Sequence, residues 1–409
     1  MTSGLRNLFD KKNIRAVFLN DVLQIMKILV INYEYPPIGG GAAGASYHIA
    51  RELVKLGCSV FVITSKFKNL PANEVIEDVK IFRIPAWRKK ADRSSVAEMI
   101  TFMLSGMWYG LRFLKKERPD ATLAFFTIPC SHIGLLGKWF QGIPYIISLR
   151  GGDVPGTQPE QLAFFHALTR PAVKILWRKA AWVVANSKGL AALAKQTTPE
   201  LDIKIIPNGV DLEQFSPVLK LNDDRREVVR ILYVGRASAE KNIIEAFKAL
   251  KMCDAKNWRF DIIGDGPQLP AWKTSAVSFG FSDSVNFQGW MQKENLPDLY
   301  PKYDLFIFPS TSEGMPNVLL EAMACGLLVI ATRIRGNEDI VEHEINGFLY
   351  EPGDASKLSS FLSRLLLDNN LRIKMSLAAR KRAESFSWKN TAEEYLKIIN
   401  QSIKQRRRQ

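Results

Sequence analysis

Cysteine and histidine are scarce, with four of each in 409 residues, and both scarcities remove chemistry. Cys58, Cys130, Cys253 and Cys325 stand far apart in apolar surroundings without paired metal-ligand spacing. A disulfide scaffold and a thiolate metal site are therefore disfavoured, and buried, reduced thiols are expected, as in a cytoplasmic protein. No Asp-x-Asp triplet occurs, so closely paired aspartates that could share a metal ion are missing in that form. Long apolar runs are missing too: Met99–Leu111 has thirteen uncharged residues, short of the roughly 20 that cross a bilayer as a helix. The first residues mix Asp10, Lys11, Lys12 and Asp21 and do not read as a cleavable signal. Acidic residues are outnumbered 41 to 56 by lysine and arginine, giving a formal charge of +15.

The chain is too long for one ordinary core, and its 47% apolar content is that of a globular protein, so two domains are expected. Strand-like runs at Ile28–Ile31, Val60–Ile63, Ile81–Ile84, Ala121–Ala124, Tyr145–Ser148 and Trp182–Ala185 alternate with helical stretches such as Ala45–Leu56. The rhythm repeats at Val229–Val234, Phe260–Ile263, Val285–Phe287, Leu305–Phe308 and Leu328–Ala331. This is the βαβ pattern of parallel sheets, and it predicts an α/β protein of two doubly wound, Rossmann-like domains. The Pro207-Asn-Gly209 turn marks a hinge. Residues 1–25 read as an extension, disordered or a loosely held helix, with Met26 a candidate start. Residues 26–211 and 212–390 form the domains, and 391–409 a last helix, from Thr391 to about Ser402, and a basic tail.

The positive charge is concentrated in the first domain. Residues 26–211 hold 24 basic against 14 acidic side chains, whereas residues 212–409 hold 28 against 25. Charge alone suits nucleic acid, anionic lipid or a phosphorylated substrate. No nucleic-acid module accompanies it. Met99–Leu111, between Trp87–Arg93 and Lys115-Lys116, carries Trp108 and Tyr109 and fits a helix lying on an anionic membrane surface. A helix packed on the domain's sheet fits the same residues.

Glu313 and Glu321 carry most functional information. Glu313 follows the apolar run Leu305–Pro309, and Glu321 is placed about two turns into a helix that Pro316 can open. Strand exits of open parallel sheets are where ligands bind, and two acceptor-rich acids there suit paired hydroxyls of a sugar or ribose. Arg236 and Lys241, just beyond the Val229–Val234 strand, can grip phosphate oxygens as a fork and a point charge. Gly39, Gly40 and Gly41 follow the first strand and let backbone N–H groups approach phosphate. Gly314, Met315, Asn317 and Val318 offer further N–H groups at a helix start.

Taken in order, these segments resemble retaining glycosyltransferases of the GT-B architecture, specifically glycosyltransferase family 4. Thr311–Gly326 resembles its E-x7-E element, Met26–Gly41 its opening strand and glycine loop, and Ile206–Pro217 its interdomain signature. Val234–Asn242 resembles its phosphate-binding segment, with Ile263–Pro267, Gly336–Glu338 and Asn346–Phe348 as smaller landmarks. The resemblance implies two domains facing across a cleft, Arg236 and Lys241 on the donor diphosphate, and Glu313 on the donor sugar. It implies Glu321 on the ribose and Gly40 and Gly41 opposite the donor. Two departures stand out. Arg150 occupies the position of a common histidine and cannot transfer protons near neutrality; it could hold an acceptor phosphate or developing charge. Leu123–Phe126 replaces a histidine-rich strand end, leaving Asp153 and His132 as acceptor-side candidates.

The resulting expectation is a peripheral enzyme on the inner face of the plasma membrane. It would move a sugar, with retention and without metal or other cofactor, from a UDP- or GDP-linked donor to a glycan or polyprenyl-diphosphate-linked acceptor in polysaccharide or lipopolysaccharide synthesis. A nucleotide-sugar epimerase and a basic nucleic-acid-binding protein remain as alternatives.

Overall fold

A computed structural model describes residues 25–91, 94–157, 159–217, 228–255 and 257–408, without the side chains of 159–163. The expected extension at 1–25 lies outside the described residues except for Ile25. The first domain contains β1 (Lys27–Ile31), β2 (Ser59–Ser65), β3 (Asn73–Ile76), β4 (Val79–Ile84), β5 (Ala121–Phe125), β6 (Tyr145–Leu149), β7 (Trp182–Ala185) and β8 (Ile203–Ile205). Their order is β3-β4-β2-β1-β5-β6-β7-β8, parallel except for the β3–β4 edge. The second holds β9 (Val229–Val234), β10 (Trp258–Ile263), β11 (Val285–Gly289), β12 (Leu305–Phe308), β13 (Leu328–Thr332) and β14 (Gly347–Tyr350). Its order is β11-β10-β9-β12-β13-β14, parallel throughout.

Strand periodicity divides the first core between the two sheet faces. Ile28 and Val30 join one cluster with Val60 and Val62, while Leu29 and Ile31 join another with Phe61 and Ile63. The last helix starts at Trp388, earlier than the sequence suggests, and runs to Arg406. It leaves the second domain and buries Trp388, Ala392, Tyr395, Ile398 and Ile399 in the first domain's core. All four cysteines are buried, and among the described residues none is joined in a disulfide.

Both topologies place a switch point where the motifs cluster. Chain direction across the sheet reverses between β1 and β5 and again between β9 and β12. A crevice opens beyond the carboxyl ends of such strands. The glycine loop follows β1, the Arg236–Lys241 segment follows β9, and Glu313 follows β12.

The amphipathic segment forms a helix over Val96–Glu117, opened by a capping box of Ser95 and Glu98. Phe102, Gly106, Gly110 and Leu114 are its buried stripe. A Cβ on Gly110 would stand 2.8 Å from Ile133, so glycine is what lets the Ser131–Gln141 helix approach this closely. Ile100, Leu104, Met107 and Trp108 remain exposed on the opposite side. The helix packs on its domain and also presents apolar side chains to solvent. Among the described residues no helix is long and apolar enough to cross a membrane.

Candidate active site

Backbone hydrogen bonds bring the two second-domain motifs together. The amide of Thr311, beyond β12, donates to the carbonyl of Glu240 at 2.7 Å, and Ser310 Oγ reaches the same carbonyl at 3.2 Å. The short helix Ala239–Lys241 is thereby tied to the Glu313 loop, and Lys241 Nζ forms an ion pair with Glu313 Oε1. Ser310 Oγ donates to the same carboxylate oxygen at 2.6 Å. Glycine at 336 completes the packing, because a Cβ there would stand 2.7 Å from the carbonyl oxygen of Gly314.

Lys241, Glu313 and Gly314 line a cavity of about 460 Å³ between the domains, with Arg150, Gly151 and Gly152 on the other wall. Arg335, which the sequence reading did not single out, also lines it. Arg236 lies outside this lining, exposed on the turn after β9, and no side-chain partner is found for it among the described residues. Glu321 is the fifth residue of the eight-residue helix Asn317–Ala324, just over one turn in, and Pro316 is the N-cap. Its carboxylate accepts from Tyr300 Oη at 3.2 Å and lies 4.0 Å from Lys293 Nζ. Burial pushes its pKa up, against the opposing pull of Lys293. The first-turn amides of Asn317 and Val318 have no carbonyl one turn back within that helix.

Asparagine 208, read from sequence only as part of a turn, links the domains. Its Nδ2 donates to Asn317 Oδ1 at 2.8 Å, its Oδ1 accepts from Arg150 Nη1 at 2.7 Å, and its amide contacts Met315 Sδ at 3.1 Å. Across the crevice, a Cβ on Gly41 would be 3.7 Å from Asn317 Nδ2, while one on Gly40 would enter open space. The Arg150 guanidinium packs 4.5 Å above the Phe125 ring and reaches Tyr395 Oη at 3.5 Å. Its Nε has no hydrogen-bond partner among the described residues. Burial lowers its pKa, but an arginine there keeps its charge.

Asp153 and His132 are not among the residues that line the cavity. Asp153 is buried, its carboxylate accepting from the Thr127 amide at 2.7 Å, Thr127 Oγ1 at 3.0 Å and the Arg150 amide at 2.9 Å. It fastens the loop that carries Arg150, and burial raises its pKa. His132 Nε2 stands 3.1 Å from the Met103 carbonyl, wedged between the Ser131–Gln141 and Val96–Glu117 helices. Both side chains are engaged by groups of the first domain itself. Lys293 was also missed; its Nζ would lie 3.4 Å from a Cβ on Gly44 of the first domain.

The family described as Glycosyltransferase Family 4 matches residues 39–214, and that described as Glycosyl transferases group 1 matches residues 218–382. The chain is similar to an uncharacterized glycosyltransferase of Methanocaldococcus jannaschii, 28% identical over 91% of this chain and 97% of that protein. It is also similar to the Escherichia coli UDP-Gal:alpha-D-GlcNAc-diphosphoundecaprenol alpha-1,3-galactosyltransferase, 29% identical over 68% of this chain and 74% of that one. Among solved structures, the sucrose-phosphate synthase of Thermosynechococcus elongatus superposes with a TM-score of 0.79 over 92% of this chain and 98% of its own, at 21% identity. With both halves matched in order and the two-sheet architecture in place, the chain belongs to glycosyltransferase family 4 and has the GT-B fold.

Proposed function

We propose that this glycosyltransferase takes its sugar from a UDP- or GDP-linked donor held in the crevice and transfers it with retention to a glycan or polyprenyl-diphosphate-linked acceptor. The Lys241–Glu313 pair on the cavity wall carries this reading. An ammonium there can neutralise the diphosphate as the anomeric bond breaks, while the adjacent carboxylate accepts from sugar hydroxyls. Arg236, without a side-chain partner among the described residues, supplies the second cation, and Glu321 the ribose contact. Gly40, Gly41 and the amides at Gly314, Met315, Asn317 and Val318 complete the donor site.

Retention is taken from the family resemblance, and Asp153 bears only on its route. Its carboxylate is tied to Thr127 and not aimed as a nucleophile, so front-face attack fits better than a covalent intermediate on that acid. In that step the acceptor oxygen bonds to the anomeric carbon, the carbon–oxygen bond to the diphosphate breaks, and the acceptor proton passes to the leaving phosphate. Arg150 on the facing wall would hold an acceptor phosphate. Metal independence accords with Arg236 and Lys241 providing the charge; chelator treatment should leave the rate unchanged.

The E. coli relative's lipid-linked acceptor and the exposed apolar face of Val96–Glu117 favour a peripheral place on the inner membrane surface and a role in polysaccharide or lipopolysaccharide synthesis. Mass-spectrometric screening of nucleotide sugars for binding and turnover, followed by NMR of the product's anomeric proton, tests the proposal. An inverted product rejects retention, and the absence of turnover with every UDP and GDP sugar rejects the donor class.

A further inference from the structure

A cavity of about 720 Å³ lies at the pole opposite the crevice, where Arg118–Asp120 lead into the amino end of β5 and Gln141–Ile143 approach that of β6. Leu111, Phe140 and Ile143 give it apolar walls, and Lys115, Arg118 and Arg406 give it three cations. Asp120, the acid in the lining, already accepts from the Lys27 amide at 2.8 Å. Arg406 is anchored by donating to the Gln141 carbonyl at 2.7 Å. Among the described residues none of the three cations forms an ion pair.

The cavity also terminates an exposed stripe. Ile100, Leu104, Trp108, Leu111 and Lys115 follow one another at helical spacing along Val96–Glu117. The first three are 51%, 64% and 59% exposed, and Arg112 stacks 4.2 Å above Trp108. An apolar stripe leading into a cationic pocket complements a ligand with hydrocarbon at one end and phosphate at the other. A neutral lipid would leave the cations uncompensated, and a free sugar phosphate would leave the stripe exposed.

We propose that this cavity receives the phosphate of an anionic lipid, whose hydrocarbon lies along the Ile100–Trp108 stripe. The site rests on the reading that this face meets a membrane, and adds to it a defined headgroup pocket far from the chemistry.

The test uses the full chain with phosphatidylcholine vesicles, with and without phosphatidylglycerol, in a flotation assay. Each cation near an anionic surface contributes about fivefold, so the Lys115→Gln/Arg118→Gln/Arg406→Gln variant should bind anionic vesicles roughly a hundredfold more weakly. A charge-matched control, Lys248→Gln/Lys273→Gln/Lys374→Gln in the second domain, should bind nearly as the parent does. Thermal midpoint and donor turnover in solution should match the parent in both, confirming folded enzyme. Equal weakening of the two triples would reduce the effect to net charge and overturn the site, as would parental binding by the pocket variant. Inorganic phosphate binding to the pocket without any preference for anionic vesicles would overturn the lipid assignment. A parent chain that binds vesicles but turns over no nucleotide sugar would fail the proposed donor reading and leave this one standing.

Discussion

Replacing Lys241 by methionine separates stability from catalysis. The substitution keeps most of the aliphatic stem, which packs with its ammonium 5.4 Å from the Phe308 ring centroid, and removes the charge paired with Glu313. The two side chains are only 16% and 14% accessible, so an unpaired Glu313 carboxylate should cost about 1–2 kcal/mol of stability. Losing one preorganised charge at the leaving group should cost a further ~3 kcal/mol in the transition state, a rate loss of about 10²–10³. Nucleotide release under single-turnover conditions reads the second quantity, and urea unfolding reads the first. The double variant Lys241→Met/Glu313→Gln relieves the stranded carboxylate and should recover stability but not rate. Single-variant turnover within a few-fold of the parent, or a double variant that regains rate, would refute the assignment of Lys241 to the diphosphate.

Arg236→Gln, altering an exposed side chain with no partner among the described residues, should lose rate on a similar scale with an unchanged unfolding midpoint. Asn208→Ala strips Arg150 of its 2.7 Å acceptor and should destabilise by about 2 kcal/mol, seen in urea unfolding, while lowering kcat/KM. Gly110→Leu drives a side chain into Ile133 and should cost about 1–3 kcal/mol, measured by thermal unfolding. His48 stacks on Trp388 and is pushed down to about 3, chiefly by burial and then by Lys293 and Arg51, with Asp211 opposing. Because the unfolded chain takes up that proton first, stability should fall as pH drops from about 6.5 toward 3, by about 2 kcal/mol at pH 5. His48→Phe should remove that part of the acid slope in urea titrations at pH 7.5 and pH 5; an unchanged slope would show that His48 is not its source.

Central strands were legible because burial on both faces writes them as continuous apolar runs: β9 and β12 begin and end where the sequence places them. β3, an exposed antiparallel edge of Asn73-Glu-Val-Ile76, has no such pattern, and β8 is only three residues long. β14 begins inside the Asn346–Phe348 landmark, whose glycine obscures the strand, and runs on to Tyr350. In the site, Glu313 and Lys241 could each be picked out, but their pairing depends on the bond from Thr311 to Glu240, which no local pattern specifies. Asp153 looked available because its consumers, the amide and hydroxyl of Thr127, are 26 positions away. Arg150 likewise finds Tyr395 across 245 positions, through the returning helix.

That returning helix gives Arg150 a role histidine could not fill. Tyr395 Oη, supplied by the C-terminal helix, also bonds Ser148 Oγ at 2.6 Å, so the exit of β6 is fixed by a residue that follows the second domain in the chain. Arg150 then extends this fixed point through Asn208 to Asn317, at the start of the helix that carries Glu321. A guanidinium has enough donors to serve Asn208 and Tyr395 at once and still keep Nε uncommitted, whereas a neutral imidazole has one. A permanent charge also resists the proton loss that burial would otherwise favour. On the proposed function, Arg150→His should therefore leave donor hydrolysis largely intact but weaken transfer to a phosphorylated acceptor, as a rise in acceptor KM with little change in kcat for hydrolysis. An unchanged acceptor KM would assign Arg150 wholly to holding the domains together.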